Sequence, residues 1–272
     1  MKRVAILGSP IGGALSPVIH RAAYRALGLD WTYEAIECSP GMLAGFLAAL
    51  DHSWGGLSLT MPLKRTALPL LDELTPVARD VGAVNTVIVK DGRKVGDNTD
   101  VHGMAEALRG FGAERPATAT VLGAGATSAT ALAVLRTLGC PEATVVARTH
   151  RRAGPLLEAA ARLGISVMLR PWDEASRYLG ADLVVSALPP GAADELACSL
   201  LPAPRTLLDV LYLPWPTPLA RAAADEGAQV IGGLPMLLHQ AARQVVLQTG
   251  CREAPIEAMS AAAVALLGTP TP

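Results

Sequence analysis

The sequence contains few charged and few aromatic residues, and it has no long uninterrupted apolar run. Charged residues make up 17% and aromatic residues 4% of the 272 residues. The net charge is −1 and no basic run is present, so the electrostatic signature of nucleic-acid binding is missing. Apolar runs such as 4–7 and 261–267 are far shorter than the roughly 20 residues of a membrane-spanning helix, although the mean hydropathy of +0.35 is high. We therefore expect neither a nucleic-acid partner nor a membrane partner.

Cysteine is scarce, and its spacing argues against metal and disulfide frameworks. The four cysteines are far apart and form no CxxC or Cys/His pattern, and the five histidines also lack ligand spacing. His20 and His239 lie in helical stretches, where structural roles are expected. The N-terminus starts with basic residues, but only four apolar residues precede Gly8, which does not fit a secretion signal. We expect a cytoplasmic protein that needs no metal.

The length and the order of the apolar segments indicate two α/β domains. Apolar strands and helical stretches alternate along the chain, which is typical of parallel, doubly wound sheets. The chain ends in two helical stretches, 236–248 and 255–267, which we expect to pack back on the first domain. The segments interpreted as strands are 4–7, 31–37, 56–60, 118–123, 144–147, 166–169, 182–188, 207–210 and 229–231.

A glycine-rich turn lies between an apolar strand and a helical segment. Gly123-Ala124-Gly125-Ala126-Thr127-Ser128 lies where a dinucleotide-binding motif holds a pyrophosphate at a helix N-terminus. Ser128 replaces the third glycine, so the motif alone is equally compatible with an ordinary tight turn. The strand, helix and second strand at the required spacing favour the dinucleotide site.

The end of the second strand in this domain bears on the choice of cofactor. NAD enzymes usually place a carboxylate there for the ribose 2′-hydroxyl, whereas NADP enzymes need cations for the 2′-phosphate. Here Ala147 is followed by Arg148, Thr149 and then Arg152, without an acidic residue. Arg148 can hold a phosphate with a bidentate fork, and Thr149 can add a hydroxyl donor. The segment predicts NADP; the alternative is a solvated basic turn, which the helix macrodipole opposes.

Three short stretches in the first domain combine polar residues with apolar surroundings. They are 58–64, 83–86 and 96–100. Taken singly, Lys64 fits a surface lysine, Asn85 a turn residue and Asp100 a helix cap. Together with Ser16-Pro17 near the N-terminus, they form a pattern that resembles the shikimate dehydrogenase family over nearly the whole chain, especially the forms of high-GC Gram-positive bacteria.

The resemblance extends to motifs in both predicted domains. The family's G-x-P-I and S-x-S-P elements resemble residues 8–11 and 14–17, and its late D-x-x-Y and G-x-x-M-L-x-x-Q elements resemble 209–212 and 233–240. The family's GAGG-type loop and N-R-T-x-x-R element resemble 123–128 and 147–152. The resemblance implies a substrate-binding, catalytic domain formed by residues 1–101 and 236–272, and a Rossmann-type NADP-binding domain formed by residues 102–235.

The resemblance also implies roles for individual residues. Lys64 would be the acid/base and Asp100 its partner in the reversible, NADP-dependent reduction of 3-dehydroshikimate to shikimate. The substrate positions would be Ala14, Ser16, Thr60, Asn85, Asp100, Tyr212 and Gln240. The cofactor positions would be Gly123, Ala124, Gly125, Ala126, Thr127, Ala147, Arg148, Thr149 and Arg152, with Val210 and Gly233 beside the nicotinamide.

Three positions depart from the common family pattern: Ala14, Ala147 and Pro235. Only Ala14, which replaces a serine, bears on the substrate, and it leaves quinate or an aminoshikimate analogue open as the ring acid. A non-catalytic NADP(H)-binding paralogue is a further alternative, against which the presence of both Lys64 and Asp100 argues. We expect a monomer or homodimer whose domains hinge near Val101 and Gly233 around a cleft that holds the active site.

Overall fold

A computed structural model describes residues 1–149 and 153–268 of the chain. The chain divides into two compact units, Met1–His102 with Leu238–Pro272, and Gly103–Leu237. The boundaries expected from the sequence follow residues 101 and 235, whereas the units of the structure divide after His102 and Leu237. Within the described part of the chain, none of the helices is both long and apolar enough to cross a membrane.

The two units are built from the following helices and strands. In chain order they are β1 (Lys2–Gly8), α1 (Ser16–Ala26), β2 (Trp31–Glu37), α2 (Pro40–Ala48), β3 (Trp54–Leu59), α3 (Leu63–Thr66), β4 (Glu73–Leu74), α4 (Pro76–Val81), β5 (Thr86–Lys90), β6 (Arg93–Asp97), α5 (Asp100–Gly110), β7 (Ala119–Leu122), α6 (Ala126–Thr137), β8 (Glu142–Ala147), α7 (Gly154–Leu163), β9 (Ser166–Pro171), β10 (Leu183–Ser186), β11 (Thr206–Asp209), α8 (Pro218–Asp225), β12 (Gln229–Ile231), α9 (Gly233–Thr249) and α10 (Ile256–Leu267). Short 3₁₀ helices cover Leu68–Leu70, Trp172–Tyr178 and Asp194–Ser199.

The first unit contains a mixed six-stranded sheet in the order β2-β1-β3-β5-β6-β4. β1 pairs in parallel with β2 and β3, whereas β5 runs antiparallel to both β3 and β6. Helix α2 begins with Pro40 in its first turn and buries Leu43 and Leu47 against this sheet. In agreement with the expectation for the chain end, α10 packs on α1 within this unit.

A hairpin between β5 and β6 joins two of the polar stretches. The sequence interpretation includes no strand between residues 60 and 100, but the structure places β4, β5 and β6 there. Asp91 and Gly92 both have positive φ angles, 51° and 76°, as a two-residue type I′ hairpin turn requires. The register pairs Thr86 with Asp97, so the residues just before β5 lie beside those just after β6.

The second unit contains a fully parallel six-stranded sheet in the order β12-β11-β10-β7-β8-β9. Numbered within the unit and read from the β9 edge, this is the 3-2-1-4-5-6 order of a Rossmann fold. The strands β7, β10 and β11 in the middle of the sheet are entirely buried, as expected where helices cover both faces of such a sheet. The predicted α/β fold class with a Rossmann-type domain is confirmed. The helical stretch between β9 and β10 is the 3₁₀ helix Trp172–Tyr178.

Candidate active site

Lys64 and Asp100 form a largely buried ion pair in the first unit. Lys64 lies in α3, the single helical turn that follows β3, and its Nζ donates to Asp100 Oδ2 at 2.5 Å. Their side chains are only 16% and 8% exposed. A pair with so little water around it loses solvation, so it needs further hydrogen bonds to hold its geometry. Asp100 has such bonds.

Asp100 is fixed by its position in the chain and by a neighbouring amide. It is the first residue of α5, where the helix macrodipole favours a carboxylate. Its backbone N–H donates to Asn98 Oδ1 at 3.1 Å. Its Oδ1 accepts from Asn85 Nδ2 at 2.8 Å, while Oδ2 accepts from Lys64. Both oxygens of this carboxylate therefore have defined donors.

The orientation of the Asn85 amide follows from its own hydrogen bonds. Its Oδ1 accepts from the Thr99 backbone N–H at 2.7 Å and from Thr86 Oγ1 at 2.8 Å. Since these donors face the oxygen, the nitrogen faces Asp100, and it also reaches Gln240 Oε1 at 3.3 Å. The structure thus brings four predicted site residues, Lys64, Asn85, Asp100 and Gln240, into one cluster.

Three further substrate positions of the prediction lie near the carboxyl ends of β1 and β3. These strands are parallel neighbours, and the Thr60 N–H donates to the Leu7 carbonyl at 2.9 Å. A Cβ added at Gly8 would lie 2.4 Å from the methyl group of Thr60, so Thr60 packs closely on this glycine. Ala14 is half-buried in the loop after β1. Ser16 is the buried first residue of α1, and its carbonyl accepts from His20 Nδ1 at 2.9 Å.

The sequence interpretation missed a second layer of polar residues behind this cluster. Gln244 and Gln248 are buried on α9, one and two turns after Gln240, and their side chains reach β3 and β5. Ser58 and Tyr33 join them through a bond of 2.7 Å from the Tyr33 hydroxyl to Ser58 Oγ. The spacing of four between the glutamines is a signal in the sequence, because it puts all three on one helix face.

The glycine-rich turn lies at the carboxyl edge of the second sheet. Gly123 has a φ of +106°, and a Cβ there would meet the Ala187 carbonyl at 3.0 Å. Gly123 follows β7 and Ala187 follows β10, so this contact marks the point where the strand order reverses, the usual ligand site of such sheets. Ser128, in place of the third glycine, is buried and accepts the Gly125 N–H at 3.2 Å. Residues 124, 126 and 127 complete this turn and start α6.

The predicted 2′-phosphate residues follow the neighbouring strand. Ala147 is the buried last residue of β8, and Arg148 and Thr149 after it are exposed. β8 pairs directly with β7, so this segment and the glycine-rich turn share one edge of the sheet. Arg152, predicted to assist Arg148, lies outside the described residues.

The residues predicted to flank the nicotinamide are adjacent in the structure. Val210 follows β11 and Gly233 begins α9. A Cβ on Gly233 would lie 2.1 Å from the Val210 carbonyl oxygen, so the chain has room only for glycine here. Tyr212 lies two residues after Val210, half-buried and in contact with other residues.

Asp209 anchors the segment that contains Val210 and Tyr212. Its carboxylate accepts from Thr217 Oγ1 at 2.8 Å and from the Leu211 N–H at 3.2 Å. Burial raises the pKa of this carboxyl above its usual value, against the opposing effect of these donors. The Asp209 side chain therefore has a structural role in this loop.

Among the described residues, no cluster of three or more His, Cys, Asp or Glu side chains is arranged to hold a metal ion.

Comparisons with known proteins place the chain in a family. Residues 6–87 match the model of the "Shikimate dehydrogenase substrate binding domain", and residues 233–264 match that of the "Shikimate 5'-dehydrogenase C-terminal domain". A shikimate dehydrogenase (NADP(+)) of Thermus thermophilus is 39% identical over 251 residues, which cover 92% of this chain and 93% of the relative.

Solved structures agree with these sequence matches. The shikimate dehydrogenase of Mycobacterium tuberculosis has 42% identity and a TM-score of 0.88, covering 97% of this chain and all of that one. A Thermus thermophilus enzyme in complex with NADP(H) and shikimate has 35% identity and a TM-score of 0.83, covering 97% and 98%. A quinate dehydrogenase of Corynebacterium glutamicum in complex with NAD has 29% identity and a TM-score of 0.86, covering 97% and 99%. As the motifs of its sequence predict, the chain belongs to the shikimate dehydrogenase family.

Proposed function

We propose that this protein catalyses the reversible, NADP-dependent reduction of 3-dehydroshikimate to shikimate, with Lys64 and Asp100 as its acid/base pair. The observation that carries the proposal is the buried Lys64–Asp100 pair, at 2.5 Å, in a chain of this family. Apart from Tyr212, the residues proposed for the ring acid lie in the first unit, and those proposed for NADP lie in the second.

The first unit supplies the groups that the chemistry needs. Reduction of a ring ketone adds a hydride to the carbonyl carbon and a proton to the oxygen. Lys64 Nζ can stabilise the developing negative charge and then donate the proton. Asp100 holds the amine in one direction through Oδ2, while Asn85 holds Asp100 through Oδ1. In the oxidation direction, Lys64 would receive the hydroxyl proton.

Ring hydroxyls and the carboxylate need polar partners next to this pair. Asn85 and Gln240 meet at 3.3 Å beside Asp100, which makes them suitable for substrate hydroxyls. Ser16 and Thr60 follow the carboxyl ends of β1 and β3 in the same unit. Together with Tyr212, these are the residues that we propose to contact the substrate.

The second unit has the features that NADP binding requires. The bound cofactor would accept or supply the hydride. The turn 123–127 provides backbone N–H groups at the N-terminus of α6 for the pyrophosphate. Arg148 and Thr149 stand exposed after β8 and can bind the 2′-phosphate, and Val210 and Gly233 would flank the nicotinamide. The name of the Thermus thermophilus relative, which includes NADP, supports this choice.

Initial rates followed at 340 nm test the proposal. The four pairs of shikimate or quinate with NADP or NAD should be compared on the purified protein. We expect the highest kcat/KM for shikimate with NADP. Activity with NAD alone would contradict the cofactor assignment, and inactivity with every pair would favour a non-catalytic paralogue.

Quinate is the second candidate for the ring acid. Ala14 replaces a serine of the family pattern, and the similarity to a protein named as a quinate dehydrogenase supports quinate as an alternative. Loss of a charge-assisted hydrogen bond costs about 1.5–3 kcal/mol. If shikimate is the substrate, Ala14→Ser should lower its KM. If that KM stays flat and quinate is oxidised better by the natural protein, the quinate assignment is correct.

We also propose that the protein works in the reducing cytoplasm as a monomer or homodimer. All four cysteines are free thiols, and burial raises the pKa of Cys38 and Cys140, which disfavours their reactive thiolate forms. Light scattering on the purified protein would determine the oligomeric state, and cell fractionation would determine the compartment. A larger assembly, or a secreted protein, would contradict the proposal.

A further inference from the structure

We propose that Gln244 is a positioning residue, which sets the Asn85 amide and, through it, the Asp100 carboxylate opposite Lys64. The inference rests on the proposed function in that Lys64 and Asp100 carry the chemistry. Gln244 itself bonds neither of these two residues, and its effect passes through the side chains between them.

Gln244 uses both ends of its amide in the interior of the first unit. The residue is 2% exposed. Its Oε1 accepts from Ser58 Oγ at 2.8 Å, and its Nε2 donates to Thr86 Oγ1 at 3.0 Å and to the Asn85 carbonyl at 3.2 Å. A buried amide with these partners has one favourable orientation, since a flipped amide would place its oxygen against the Asn85 carbonyl oxygen, which can only accept.

Tyr33, on the other side of Ser58, sets the direction of these hydrogen bonds. The Tyr33 hydroxyl donates to Ser58 Oγ at 2.7 Å, so the Ser58 hydrogen is free to point at Gln244 Oε1. Burial raises the pKa of Tyr33 well above its usual value, despite hydrogen bonds with Ser58 and Ser16. Tyr33 therefore keeps its hydroxyl hydrogen at any pH where the protein works. The direction of donation from Tyr33 through Ser58 to Gln244 does not change with pH.

The same direction continues to the ion pair. Thr86 Oγ1 accepts from Gln244 and donates to Asn85 Oδ1 at 2.8 Å. With its oxygen occupied, Asn85 turns its nitrogen to Asp100 Oδ1 at 2.8 Å. The Thr99 N–H also supports this orientation of Asn85, at 2.7 Å. Loss of Gln244 should therefore loosen the arrangement without abolishing it.

Gln244 also ties together the two strands that lead to the pair. Ser58 on β3 and Thr86 on β5 are direct partners in the antiparallel register, and Gln244 bonds both of them. β3 runs on to Lys64, and the β5–β6 hairpin runs on to Asp100. One side chain on α9 thus fixes the starting points of both catalytic segments.

Gln248 provides a matched control one turn further along α9. It is also buried, at 8% exposure, and its Nε2 donates to the backbone carbonyls of Leu57 and Val87 at 3.2 and 3.4 Å. Leu57 and Val87 are the next registered pair of the same two strands. Replacement of Gln248 therefore disturbs the same helix and sheet, but not the side chains that reach Asp100.

The experiment compares Gln244→Met with Gln248→Met, which remove the amide and keep a similar length. Each full-length variant is measured for kcat, for the KM of both substrates and for urea unfolding. For Gln244→Met we expect kcat per folded molecule to fall about 10-fold, because small misplacements of reacting groups have effects up to about 100-fold, and the NADP KM to stay within about twofold. For Gln248→Met we expect lower stability with kcat within about twofold of the natural protein. Equal losses of kcat in both variants would reveal a general packing effect and overturn the proposal.

A readout that needs no substrate separates this inference from the proposed function. In ¹H–¹⁵N spectra, the side-chain amide pair of Asn85 should shift or broaden in Gln244→Met and stay in place in Gln248→Met. If the natural protein fails to oxidise shikimate with NADP, the proposed function is wrong, and these spectra still decide the role of Gln244. If the natural protein is active, and Gln244→Met keeps both its kcat and its Asn85 signals, the positioning role is wrong.

Discussion

Lys64 owes its suitability for proton transfer to the residues that restrict it. A lysine on a flexible stem has many rotamers, and the 2.5 Å bond to Asp100 selects one of them. Lys64→Ala removes the proton donor and the charge that stabilises the oxyanion. We expect kcat for shikimate to fall by about 10²–10⁴-fold with a much smaller change in KM, as steady-state rates would show.

Lys94 offers a control for this substitution. It is a partly exposed lysine of the same unit, and it pairs with Asp72 at 3.6 Å rather than with a residue of the cluster. Lys94→Ala should leave kcat unchanged, since exposed ion pairs contribute little. A Lys64→Ala variant as active as Lys94→Ala would remove Lys64 from the mechanism.

His20 is a fully buried histidine near the polar network. Its Nδ1 donates to the Ser16 carbonyl at 2.9 Å, and its ring stacks on Tyr33 with centroids 4.1 Å apart. Burial lowers the pKa of His20 from 6.5 to about 4, against the opposing effects of the Ser16 carbonyl and Gln244. Tyr24 also contacts the ring, and burial raises its pKa, so it stays neutral. The structural role that the sequence suggests for His20 agrees with these contacts.

The lowered pKa of His20 predicts a loss of stability in mild acid. The unfolded chain binds a proton near pH 6.5, whereas the folded protein does so only near pH 4, so stability present above pH 6.5 is lost as the pH falls through this window. Between about pH 7.5 and 5 the loss amounts to about 2 kcal/mol. Urea unfolding of His20→Asn, which keeps a donor for Ser16, should show a pH dependence smaller by this amount. Identical pH dependences would exclude His20 as the cause.

At the scale of elements, the β5–β6 hairpin has a local sequence signal that the motifs alone do not reveal. Lys90-Asp91-Gly92-Arg93 contains the Asp-Gly pair that favours a type I′ turn, and three apolar residues precede it at 87–89. Interpreted as a hairpin, this segment places Asn85 beside Asp97–Asp100 on the evidence of the sequence alone. The motifs predict the residues of the site, and the hairpin explains how they meet.

The buried glutamines of α9 could be predicted only in part. Their spacing of four indicates a common helix face, but a polar stripe ordinarily faces solvent. Their burial depends on α9 lying across β3 and β5, whose side-chain and backbone groups accept and donate hydrogen bonds there. That placement is a tertiary property, which no local pattern of the sequence contains.

The first residue of α9, Gly233, lies so close to Val210 that only glycine fits there. A Cβ would meet backbone atoms of Val210 at 2.1 and 2.5 Å, and backbone cannot rotate away as a side chain can. Overpacking of this kind typically costs about 1–3 kcal/mol. Gly233→Ala should therefore lower the free energy of unfolding by that amount in urea titrations. Gly110→Ala is the control, because a Cβ there meets nothing within 4 Å, and equal stability of the two variants would contradict the argument.

At the scale of the whole molecule, the second unit is the easier part to predict. Parallel strands buried on both faces appear in the sequence as apolar runs between helices, and all six of its strands lie near the positions expected from those runs. The first unit mixes parallel and antiparallel pairs and includes the two-residue strand β4, which is too short to give a periodic signal.

The two units have separate cores, and this predicts separate responses to the two ligands. One core gathers around Leu7, Leu57 and Leu63, and the other around Leu122, Val184 and Leu207. A ligand that binds one folded unit at about 100 times its Kd stabilises that unit by about 2.7 kcal/mol. In hydrogen exchange, NADP should protect the amides of β7 and β8, and shikimate those of β1 and β3. The residues proposed for NADP lie in the second unit, and those proposed for shikimate, apart from Tyr212, lie in the first. The reverse pattern, or equal protection of both sheets by NADP alone, would therefore contradict the proposed division of binding between the units.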